Sequence, residues 1–266
     1  MIVHNITPIS DFDGFTPLQM HEIIYRPFDD DCPIKLNILT NEELFKESPI
    51  LKIAIELLSN INGKSIKLTQ RSNLPPNIVK TIYAKNYLTD SLIEDGIVKI
   101  RTETDWTILH NVRLVLTIAG FFRKKYNHLM LTKKGELLLT SGKYSEIFYE
   151  FLKSFALRFR WDYNDLFDNE AIGQMGFLYT LHLLNNYGSK ERDIKYYSDL
   201  YFLAFPSFIE NNEEDSMAEP AFYIRFIERF ALWFGFLEVR IVEGKNYFGR
   251  EIKIKRTTLL EHMFKA

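Results

Sequence analysis

The sequence is poor in the residues that build most metal and redox sites. It has one cysteine, Cys32, in 266 residues. That excludes an internal disulfide and a cysteine-built zinc site within one chain, and it fits a reducing, cytoplasmic location. The six histidines (His4, His21, His110, His128, His182 and His262) are dispersed, with no pair three or four residues apart. Asp29-Asp30-Asp31 sends consecutive side chains in different directions and lacks the alternating ligands and glycine of a calcium loop, so it reads as a solvated turn. No apolar run reaches membrane-spanning length, and no basic segment followed by an apolar one opens the chain. Neither a membrane partner nor a signal peptide is expected.

Chemical motifs are equally scarce. GxGxxG, GxxxxGK[ST], GxSxG and HExxH are all absent, and His21-Glu22 has no second histidine. Glu251-Ile252-Lys253 matches part of a metal-dependent nuclease site, but no aspartate follows Ser216. An exposed strand face accounts for that pattern. The sequence names no catalytic residue, cofactor or metal ligand, and it points away from an enzyme.

What the chain does have is segregated charge. The net value of −2 conceals blocks of −6 (residues 1–63), +8 (64–135), −8 (136–220) and +4 (221–266). The second block holds 13 Lys and Arg against 5 Asp and Glu. Such asymmetry marks either a face for polyanions or lobes of opposite sign that neutralise each other. Aromatics are segregated too: residues 144–236 hold 25 of the 39 Phe, Tyr and Trp. "RFRWDY" (158–163) mixes cations and rings as a stacking platform would. The others fall mostly at helical spacing in an acidic stretch, which predicts a packed aromatic core, with Tyr196, Tyr197 and Tyr201 as candidates to rim a pocket.

Local signals give an order of elements. Thr16, Pro17 and Gln19 form a capping box that opens a helix at "TPLQMHEIIY". Ser48-Pro49 opens "ILKIAIELLSNI", and Gly63 stops it. "SIKLT" is a short strand, and Pro75-Pro76 set the start of "NLPPNIVKTIYAKN". Residues 85–104 form an insertion. Thr104 or Asp105 is expected to cap "WTILHNVRLVLTIA", which ends at Gly120. "FFRKKY" and "HLMLT" make a hairpin turning near Asn127, followed by the short helix "KKGELLLTSG". Phe148, Phe151, Phe155 and Phe159 line one face of the next helix. Helices are predicted at "AIGQMGFLYTLHLLNNYG", "DIKYYSDLYFLAF" and "AFYIRFIERFALWFG", with a loop at "ENNEEDSMAEP". "FLEVRIVEG" and "YFGREIKIKR" form a second hairpin, and "TTLLEHMF" is a last short helix.

The order from residue 48 to 142 is that of a winged helix-turn-helix. Both halves also end alike, in helix, glycine, aromatic, hairpin and a Leu-Leu helix. The expected fold is α+β and mainly helical. It comprises an N-terminal helical segment (1–47), a winged-helix-like domain (48–142) and an aromatic-rich helical lobe ending in a β-hairpin (143–266).

The stretches "TPLQMHEIIYRPFD", "KLTQRSNLPPNIVK", "AGFFRKKYNHLMLTKKGELLL" and "GFLYTLHLLNNYG" resemble a group of uncharacterised bacterial proteins, some of which carry a plasmid ORF-3-like domain or an SEC-C zinc motif. The resemblance implies a bacterial origin and the architecture above. It implies no chemistry, because the SEC-C motif needs a cysteine cluster. Family members often carry glycine within the stretch Arg71-Ser72-Asn73.

The first functional expectation is a non-enzymatic protein associated with DNA or RNA. Lys67, Arg71 and Lys80 flank the strand-turn-helix, Arg113 lies on the later helix, and Arg123, Lys124, Lys125, Lys133 and Lys134 lie on or just after the hairpin. Phosphates are held by several such cations on one surface. The later helix offers only His110, Asn111 and Arg113 to base edges, which argues against sequence-specific reading. The alternative is an assembly module that docks on a protein partner or a second copy. The first requires these cations to be exposed and unpaired. The second requires them to be paired with acids of 136–220, or an exposed apolar patch.

Overall fold

The computed structural model describes residues 3–38, 41–209, 217–243 and 250–264. It is mainly helical with two small antiparallel sheets, and the chain forms two compact units, 38–159 and 1–37 with 160–266. No helix among the described residues is long and apolar enough to cross a membrane.

Helix α1 (Pro17–Tyr25) opens on the expected capping box: Thr16 Oγ1 accepts from the Gln19 amide, and Gln19 Oε1 accepts from the Thr16 amide. The unit 38–159 follows, with α2 (Glu42–Lys46), α3 (Pro49–Ile61), β1 (Ile66–Lys67), α4 (Pro76–Tyr83), α5 (Ser91–Glu94), α6 (Thr107–Ile118), β2 (Phe122–Lys125), β3 (His128–Leu131), α7 (Lys133–Thr140) and α8 (Tyr144–Leu157). Its core is aliphatic, built on Ile50, Ile53, Leu57, Val112, Val115 and Leu116. Its sheet order is β1-β3-β2. The second unit adds α9 (Phe177–Tyr187), β4 (Arg192–Asp193), α10 (Ile194–Ala204), α11 (Ala218–Phe222), a π-helix (Tyr223–Leu232), β5 (Leu237–Glu243), β6 (Arg250–Arg256) and α12 (Thr258–Phe264). Its sheet order is β4-β6-β5. Its core is aromatic: Trp161, Phe177 and Phe230 meet there, and Phe222, Phe226, Phe230 and Phe234 stack at four-residue spacing with centroids 5.1–5.5 Å apart.

Within each unit the same frame recurs. Helix, short strand, helix, helix, hairpin and helix follow in order, and the short strand pairs with the second hairpin strand (β1 with β3, β4 with β6). The likeness extends to single hydrogen bonds. Gly120 and Gly235 both have positive φ (80° and 77°) and end the helix. The next amide reaches back five residues, Phe121 to Leu116 O (2.9 Å) and Phe236 to Ala231 O (2.8 Å). Thr132 and Thr257 then close the hairpin. Each hydroxyl donates to its glycine carbonyl at 2.7 Å, and each amide donates to the aromatic carbonyl beside it. Both threonines also cap the following helix, through the Gly135 and Leu260 amides.

Several expectations are corrected. The boundaries at 47 and 142 move, because α8 packs on α2, α6 and α7 and the first 37 residues pack with 160–266. Phe148 meets Phe45 of α2 at 4.8 Å, and Glu42 accepts from the Ser145 amide and hydroxyl. Ser48 precedes α3 but caps nothing; its buried hydroxyl has no partner among the described residues. Asp105 closes its own 3-10 turn by accepting from the Arg101 and Thr102 amides, so α6 starts behind Trp106. The helix expected from Ala171 starts at Phe177, since Gly173 and Gly176 adopt left-handed backbone. The helix at "AFYIRFIERFALWFG" takes i→i+5 winding over most of its length. Of the predicted loop at 210–220, residues 210–216 lie outside the described residues, as does the tip of the second hairpin, while Ala218–Pro220 already belong to α11.

Candidate nucleic-acid interface

Sheet β1-β3-β2 has one face on the core and one toward solvent. Pairing places Ile66, Leu129 and Lys124 in one row, with Lys67, His128 and Lys125 in the row on one side of it and Arg123 opposite Met130 on the other side. Ile66, Leu129, Phe122 and Leu131 are buried. By strand alternation the other face therefore carries Lys67, Lys125, Arg123, His128 and Met130. Lys124, on the edge strand and in the row of the buried Ile66 and Leu129, lies on the opposite face from these cations and donates to Ser72 Oγ at 2.7 Å. That contact brings in the 69–73 turn, which carries Arg71. Ser72 holds φ 62°, a left-handed conformation. The hairpin tip is pinned to the same place, for Asn127 Nδ2 donates to the Leu68 and Thr69 carbonyls and Asn127 O accepts from the Leu68 amide.

The nine expected cations divide. Lys67, Arg71, Lys80, Arg123, Lys125 and Lys133 are exposed and form no ion pair with a described residue. Lys124 is exposed and bound only to Ser72. Lys134 is half-buried, paired with Glu150 (2.7 Å), and donates to the Ala119 carbonyl. Arg113 is turned inward, its side chain 12% exposed, with Nε donating to Glu103 Oε1 at 2.6 Å. It does not face a groove. The base-reading candidates beside it, His110 and Asn111, are also buried, and α8 packs against their helix.

Sequence reading missed the reason, which is Glu103. This carboxylate is fully buried and accepts from the Leu74 amide (2.5 Å), His110 Nδ1 (2.8 Å) and Arg113 Nε (2.6 Å). Burial alone would raise its pKa. The His110 hydrogen bond, the Arg113 charge and the Leu74 amide together hold it below the ordinary carboxyl range. Glu103 thereby fastens the end of the Arg71 turn to α6. The signal was a lone acid followed by His and Arg seven and ten residues on, a spacing too common to stand out.

Other candidates resolve as structure. His182 contacts Asp13 (3.3 Å) and Asn186 (2.8 Å) instead of a backbone group, and burial lowers its pKa. Glu251 and Lys253 pair with each other at 3.2 Å. Phe159 and Trp161 of "RFRWDY" are buried, and Arg160 pairs with Asp162 and Glu170. Tyr197 and Tyr201 are buried in the core; Tyr201 accepts from the Gly173 amide and donates to Met175 O. Arg225, fully buried on the π-helix, makes a two-pronged pair with Asp165 (3.0 and 2.7 Å), and Arg229 joins the same carboxylate at 3.1 Å. No cluster of three metal-ligating side chains occurs among the described residues. No protein family, curated protein or solved structure matches this chain significantly.

Proposed function

We propose that the unit 38–159 is a winged-helix-like module that binds the phosphate backbone of nucleic acid through its hairpin and the adjoining turn, without enzymatic chemistry. One observation carries this reading. Six of the nine cations singled out are exposed and unpaired, and the Lys124 ammonium is engaged only by a hydroxyl. The chain from Trp106 to Gly135 contains no Asp or Glu to neutralise them. Affinity then comes from counterion release. With α6 packed under α8, contacts fall on phosphates and position the protein without reading sequence.

The test is a titration of labelled DNA and RNA across a salt series. About five phosphate contacts on duplex DNA give a slope of log K against log salt near −4 to −5. The triple variant R123E/K124E/K125E should flatten that slope by close to 3. Absence of binding at low salt would sink the proposal. The second reading, a protein-assembly module, draws on Leu92 and Ile97, 49% and 71% exposed in the inserted segment. It predicts instead that Ile97→Glu changes the oligomeric state while nucleic acid is ignored.

A further inference from the structure

We infer that the partner of this surface is single-stranded nucleic acid and that Tyr126 stacks on one of its bases, an inference that rests on the phosphate-binding reading above. Two residues, Tyr126 and Asn127, join β2 to β3, and both have positive φ, 47° and 59°. Such a turn is built most cheaply from Asn-Gly. Asn127 meets that demand, because asparagine tolerates left-handed backbone. Tyr126 does not, since a bulky side chain there crowds its own peptide. Nor does its ring gain by packing. It is 86% exposed, more than Tyr25 (67%) or Tyr163 (43%), and the Lys125 ammonium lies 5.3 Å from its centroid. An aromatic that strains its backbone and stays in solvent is set there for something outside the chain.

The surroundings say what. Lys67, Lys125 and Arg123 share the outer sheet face with His128 and Met130, next to the turn that carries Tyr126. Cations interleaved with a stacking ring are how proteins hold a strand whose bases are unpaired. A duplex keeps its bases inside, and the helix that would enter its major groove is the covered one, with His110 and Asn111 turned in. The tip is also rigid, held by three hydrogen bonds from and to Asn127. Little ordering is lost when a base lands on it.

The experiment compares labelled oligo-dT with a duplex of equal length, by anisotropy, for wild type and Tyr126 variants. Wild type should favour the single strand. Tyr126→Ala should weaken oligo-dT binding about 5- to 150-fold while leaving the salt slope unchanged, and Tyr126→Trp should retain binding. Tyr126→Asn relieves the strain, so it should unfold at a higher temperature and still lose affinity; a purely structural tyrosine would not separate the two. Oligo-dT binding unchanged in Tyr126→Ala and Tyr126→Asn, or a wild type that prefers duplex, overturns the inference. In the first case an intact salt slope leaves the phosphate-binding reading standing. Wild-type failure to bind any nucleic acid at low salt overturns both.

Discussion

Replacing Glu103 by glutamine removes one charge and almost no volume, and its cost follows from three contacts. Oε2 accepts from the Leu74 amide, while Oε1 accepts from His110 Nδ1 and Arg113 Nε. All three partners are donors. Glutamine presents one oxygen and one NH2, so whichever way the amide turns, a donor faces a donor in a fully buried site. An unsatisfied buried group costs about 1–3 kcal/mol, and Arg113 also loses its counter-charge. The expected loss is about 3 kcal/mol at pH 7. Because the Glu103 pKa is depressed in the fold, the unfolded chain takes up the proton first. The stabilisation is therefore complete above the unfolded value, about pH 4.3, and fades as pH falls through the folded value. The gap between wild type and Glu103→Gln should narrow in that acid range. Trp106 is the one tryptophan within 38–159 and is buried beside this cluster. Urea unfolding followed by the 5-fluorotryptophan resonance of Trp106 reports this unit directly. A loss below about 0.5 kcal/mol, or one equal at every pH, refutes the assignment.

Thr132→Ala and Thr257→Ala each remove a cap and the bond to a glycine carbonyl, so both should cost about 1–2 kcal/mol in urea unfolding; a silent variant in either unit would break the claimed equivalence of the two frames. Gly63→Ala should cost only about 1 kcal/mol, because φ is 70° but nothing lies within 4 Å of the new methyl. Gly176→Ala should cost about 3 kcal/mol or more, since its methyl would come 2.5 Å from the Phe205 ring, and thermal unfolding will rank the two.

Legibility followed the range of the interactions. The α1 capping box, the Pro75-Pro76 start of α4, both hairpins and the glycine stops are set by residues within a few positions, and the sequence marked them correctly. The Phe148, Phe151, Phe155 stripe announced a buried face but not what buried it, because Phe45 and Glu42 of α2 lie about a hundred residues earlier. Thus α8 joined a different unit from the one expected. The candidate interface was legible as charge and not as geometry. Arg113 and Lys134 looked like their neighbours until Glu103 and Glu150 were placed beside them. The π-helix left no local mark, since it lies over an ordinary amphipathic pattern. Its arginines end on Asp165, some sixty residues back.

The second unit supplies an internal control for the first. Edge strands are often guarded by lysine, which blocks pairing with another chain, and β2 is an edge strand. If that need explained Arg123, Lys124 and Lys125, the equivalent edge β5 of the same frame should carry a similar run. It does not. Around it Arg240 pairs with Glu191, and on its partner strand Lys253 pairs with Glu251 and Arg256 with Glu261. The same glycine-aromatic-threonine lock closes both hairpins, so the frame stands with a hairpin whose described cations are mostly ion-paired as well as with a cationic one. The frame therefore does not require a run of unpaired cations on its edge strand. What these cations share with Tyr126 is access to solvent on one sheet, and under the proposal above a polyanion with exposed bases would use both.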